Sequence, residues 1–156
     1  MLNPRKFSFG GTSAIVTSMG LIIGLGAAGG GTATIVSALL IAGVADNMTD
    51  SLSIHVYQES ERLEERAAFR TTLTNFAVRI LAALSFVVIV LALPPRSAQT
   101  ASLLWGCLLL AALSYALARG RGIGPLPEIT KHLGVAFLVI VASRFIGVWI
   151  SRHIRG

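Results

Sequence analysis

Charge is scarce in this chain, and so are the residues of covalent chemistry. Only 13% of its 156 residues are Asp, Glu, Lys or Arg, against roughly 25% in soluble domains. That deficit excludes an ordinary water-facing surface. The single cysteine, Cys107, has no partner for an internal disulfide and reads as a packing residue within an apolar span. No Cys-x-x-Cys, no His-Glu-x-x-His and no nucleophile–base pair occurs, so neither an enzyme nor a resident cofactor is expected. Between residues 32 and 70 there is no proline, and Gly43 is the only glycine.

What is present is hydrocarbon. Hydrophobic residues make up 54% of the chain and the mean hydropathy is +0.75. Five windows, residues 13–29, 32–53, 76–93, 101–118 and 133–150, each approach the roughly 20 residues that carry a helix across a bilayer. Little is left over for a second domain. The expected fold class is therefore all-α, a polytopic membrane protein with five transmembrane helices in a single domain, residues 1–156.

The net charge of +6 suggests nucleic acid only if its placement is ignored. Arg5, Lys6, Arg62, Arg66, Arg70, Arg119, Arg121 and Lys131 flank the spans on one side, while Arg96, Arg152 and Arg155 lie on the other. Loop charge of this kind sets orientation, here a cytoplasmic N-terminus. Met1 to Phe9 and the first span are too long and too punctuated by glycine for a signal peptide. Gly24-Leu-Gly-Ala-Ala-Gly29 matches a dinucleotide fingerprint in form only, because no strand precedes it. Gly20, Gly24 and Gly26 instead predict close helix approach.

The stretch from Thr32 to Arg70 organises the rest. It starts apolar and turns polar without a helix breaker, so one helix is predicted, roughly 58 Å long against a hydrocarbon core of about 30 Å. Its second half would extend into the cytoplasm. Asp46 falls roughly 20 Å into the span. Ionisable groups at such depth face a protein interior or a water-filled path. Gly29-Gly-Gly31 predicts a tight turn between the first two spans, Pro94-Pro95 the end of the third, and residues 120–127 a loop of helix breakers.

Two segments carry a resemblance. Gly10-Gly-Thr-Ser-Ala-Ile-Val-Thr-Ser18 and Leu40-Ile-Ala-Gly-Val-Ala-Asp-Asn-Met-Thr-Asp-Ser-Leu-Ser53 resemble the first and second spans of the vacuolar iron transporter family. The resemblance implies a homodimer whose first two spans line a path for divalent iron or manganese, with protons as counter-ion. The chain departs from the family at several points. Ser13 stands where the family has a first-span Asp, and Ile54 where it has a Met. Tyr57-Gln58 replaces a Gly-Glu, and the cytoplasmic metal-binding helices shrink to residues 59–70.

Asp46 and Asp50 share a helix face that Ser53 and Tyr57 continue. Two-fold symmetry would set four carboxylates around one axis, hard oxygen donors suited to divalent cations. The plain alternative is ion pairing, Asp50 with Arg79 and Asp46 with Arg144. His55, Glu59 and Glu61 are further candidate metal ligands near the mouth. Set against that are polar trim for His55 and a solvated face shared with Glu64, Glu65, Arg62 and Arg66. Asn47, Thr49 and Asn75 read as interhelical glue, and Met19 and Met48 as gap fillers. Three functions stay open: a dimeric divalent-metal carrier, a non-transporting scaffold that keeps the family fold, and a carrier of another small solute.

Overall fold

The computed structural model describes residues 8–60 and 65–154, without the side chains of residues 8–10, 50–51, 54–55, 57–60 and 65–72. Five helices follow in order: α1 (Ser8–Ala27), α2 (Thr32–Ser60), α3 (Glu65–Ala92), α4 (Pro95–Arg121) and α5 (Pro125–His153). Among the described residues there is no strand. Windows in α2 to α5 are long and apolar enough to cross a bilayer, and α1 contributes a shorter apolar stretch, Gly11–Ala27. This is the architecture of an integral membrane protein. Helices satisfy their own backbone groups, which lipid cannot do.

The turns follow from glycine and proline. Gly29 adopts φ 87°, a left-handed conformation that costs glycine nothing. Gly29 N–H donates to the Gly26 carbonyl at 3.2 Å and Gly30 N–H to the Leu25 carbonyl at 2.8 Å. Together they form a Schellman closure of α1. Gly122 repeats the device at the end of α4, with φ 69°, its own N–H bonded to Arg119 and that of Ile123 to Ala118.

Two boundaries differ from those expected. Residues 120–127 are not all loop: α4 continues to Arg121, and Pro125 and Pro127 lie in the first turn of α5, where a missing N–H removes no helical hydrogen bond. The stretch from Thr32 to Arg70 is not one helix either. α2 ends at Ser60, and Arg66 and Arg70 belong to α3. The polar extension is thus shared between two helices that pack against each other, and residues 61–64 lie outside the described residues.

α1 is the hub. It packs against each of the other four helices, while α2, α3, α4 and α5 follow one another around it in chain order. Met19, Ile22, Phe86, Leu39 and Leu110 form the sealed centre of the core. Met19 lies so close to Gly106 that a Cβ there would strike its side chain. Trp105 Nε1 donates to Ser85 Oγ at 2.9 Å, tying α4 to α3. Between α2 and α5 there is no extensive contact, so the ring around α1 is open on one side.

Candidate functional site beside the central helix

On its α5 side, α1 meets a neighbour as narrow as itself. A Cβ on Gly20 would lie 3.0 Å from Ser143 Oγ, and one on Gly24 3.2 Å from the Ser143 carbonyl oxygen. A Cβ on Gly147 would run into the Gly24 carbonyl. The small residues of α1 are matched by Ser143 and Gly147 of α5, and backbone approaches backbone. Gly26 faces elsewhere, against the Gln99 side chain of α4.

On the other side α1 borders a polar seam. Ala14, Thr17, Ser18 and Leu21 of α1, Leu39, Ala42, Gly43 and Asp46 of α2, and Arg79 and Ala83 of α3 line a crevice of about 10 Å³. That is space for about one water molecule. Asp46 is half-buried there, whereas Arg79 is 3% exposed. A guanidinium so enclosed needs polar neighbours, and the Asp46 carboxylate shares its cavity.

Beside them lie two sealed amides. Asn47 is fully buried and its Nδ2 donates to the Phe76 carbonyl at a long 3.4 Å. Its Oδ1 has no hydrogen-bond partner, and neither has Nδ2 of the buried Asn75. An acceptor and a donor thus stand unsatisfied on the two helices that flank the crevice. Buried polar groups in that state cost about 1–3 kcal/mol each.

The other expected residues are dispersed. Ser13 is half-buried on α1 but does not line the crevice. Ser53 is exposed, and its hydroxyl donates to the Thr49 carbonyl at 2.9 Å. Thr49 does the same to Ala45 at 3.0 Å, the usual occupation of a hydroxyl with no partner helix. The side chains of Asp50, His55 and Glu59, and all of Glu61, lie outside the described residues, so the expected Asp50–Arg79 bridge does too. Among the described residues no three of His, Cys, Asp and Glu come together.

Arg144 does not pair with Asp46. It is exposed on α5, away from the crevice, because Ser143 takes the position facing α1 and the next residue is turned by about 100°.

A second space shares two lining residues with the crevice. Thr17 and Leu21 also line a groove of about 380 Å³ between α1 and α5, bordered by Gly20, Gly24, Leu25 and Ala28 on one wall. Val139, Ser143, Ile146, Gly147 and Ile150 form the other. The gap in the ring thus exposes the central helix next to Asp46.

A polar cluster the sequence reading missed lies at the opposite edge. Ser114 Oγ is 2.7 Å from His132 Nδ1. His132 Nε2 is 3.7 Å from Glu128 Oε1, and Arg121 Nη1 3.6 Å from the same oxygen. The i, i+4 spacing of Glu128 and His132 was the available signal. No family model, curated protein or solved structure matches the chain.

Proposed function

We propose that this protein is a membrane carrier of divalent metal ions, iron or manganese, coupled to protons, with its path at a homodimer interface lined by α1 and α2. The observation that carries the reading is a half-buried Asp46 beside an enclosed Arg79, in a water-sized crevice among α1, α2 and α3. An acid held there has a use for its charge. The open side of the ring, where Thr17 and Leu21 reach both crevice and groove, is where a second copy would complete the path. Asp46 and Asp50 are the proposed core ligands, with His55, Glu59 and Glu61 toward the mouth. The proposal takes all five helices as spans, with the N-terminus and the polar end of α2 cytoplasmic.

The test is Mn(II) uptake into proteoliposomes. Asp46→Asn with Asp50→Asn is expected to abolish uptake while leaving the protein folded. Uptake at the wild-type rate by that variant ends the proposal.

One observation favours a second reading. Arg79 already supplies a cation beside Asp46, so the same bundle reads as a scaffold whose acid is neutralised internally. Calorimetric binding of Mn(II) that Asp46→Asn abolishes excludes this alternative.

A further inference from the structure

We propose that Ser114, His132 and Glu128 form a proton-responsive clamp that fastens α5 to α4. The inference is independent of metal transport. The clamp is set where the two helices meet near their connecting turn, 122–124, and it joins them through side chains alone.

Ser114 is fully buried and its hydroxyl lies 2.6 Å from the Leu110 carbonyl and 2.7 Å from His132 Nδ1. A hydroxyl has one proton for two neighbours. When the ring is doubly protonated, Nδ1–H donates to Ser114, whose proton goes to Leu110, and Nε2–H faces the Glu128 carboxylate. When the ring is neutral, the serine proton turns to Nδ1 and Nε2 keeps its hydrogen toward Glu128. The Ser114–His132 bond joins the two helices in both states, but only in the first is it charge-assisted, and there Nε2, 3.7 Å from Glu128 Oε1, also gains an ion pair within α5 that holds the ring in place. Proton uptake therefore tightens the clamp.

The charged surroundings are few. On α5 itself these are Glu128 and the exposed Lys131; on α4 they are Arg121, which shares Glu128, and Arg119, whose guanidinium sits 5.9 Å over Tyr115. The described part of α1 carries no titratable side chain. Two other readings fail on the same geometry. Ser114 is sealed, with its hydroxyl engaged, and is no nucleophile. Arg121 at Glu128 Oε1 opposes a metal ion between Glu128 and His132.

Imidazole is the side chain that ordinarily changes charge near neutrality.

The experiment is thermal unfolding of the purified full chain in detergent at about pH 5 and about pH 8. The wild-type Tm is expected to fall by several degrees at the higher pH. His132→Gln should flatten that difference, and Glu128→Gln should reduce it. A full wild-type difference retained by His132→Gln overturns the proposal. Should that variant fail to fold, the double variant His55→Gln, His153→Gln leaves His132 as the only histidine for nitrogen NMR. The expectation is a doubly protonated ring at about pH 5, and a proton on Nε2 alone at about pH 8. A proton on Nδ1 alone at the higher pH, or no titration between the two, also overturns it.

Discussion

The two sides of α1 are built on opposite plans. Toward α5, Gly20 and Gly24 approach Ser143 and Gly147 so closely that a Cβ on Gly147 would overlap the Gly24 carbonyl. Toward α2 and α3, the same helix borders a water-sized space lined by an acid and an arginine, and the two flanking helices carry buried amides whose polar atoms are incompletely paired. The first side is held by close backbone approach at Gly24 and Gly147, with an apolar groove beside it. The second keeps polar groups that packing alone would have replaced with leucine. A helix fixed on one side and left polar on the other positions the seam without sealing it.

The comparison breaks most severely at Gly147. Gly147→Leu forces a side chain into the Gly24 carbonyl, with backbone on both sides and nowhere to yield. Overpacking typically costs about 1–3 kcal/mol, and backbone opposition puts this case at the upper end or beyond. Size-exclusion chromatography in detergent should show the monodisperse peak lost. Arg79→Met comes next. It keeps the apolar stem but removes the enclosed guanidinium from the crevice, and uncoupling a buried charge from its partners costs about 3 kcal/mol. Thermal unfolding should show the drop, and Asp46→Asn added to Arg79→Met should recover part of it.

The smallest effect sharpens the contrast. Asn47→Leu removes one long hydrogen bond together with an orphaned acceptor, so stability should change by less than about 1 kcal/mol in either direction. Uptake of Mn(II) should nonetheless fall, because Asp46 loses its polar neighbour on α2. An amide kept only for packing would show the reverse, lower stability with full uptake.

Much of this was legible in the sequence. Apolar length gave the helices, and Gly29 gave the reversal between α1 and α2 because only glycine accepts its backbone cheaply. Asp46 and Arg79 were legible as polar residues at membrane depth. The rotation of α5 was not. Hydropathy does not distinguish the side of Ser143 and Gly147 from that of Arg144, and only the match to Gly20 and Gly24 decides it. The His132 cluster was hidden because its serine comes from another helix. Pro125 and Pro127 misled for a local reason: a proline that breaks a helix interior is welcome in a first turn.

The central claim is that the seam beside Asp46 is a watered path for a cation. Thr17 lines both crevice and groove, so the direct measurement is Thr17→Cys with Cys107→Ser, challenged in membranes with a hydrophilic thiol reagent. The account predicts labelling that Mn(II) slows and that loses this protection when Asp46→Asn is added. A thiol that stays unlabelled, or one labelled at the same rate with and without the metal, would contradict it.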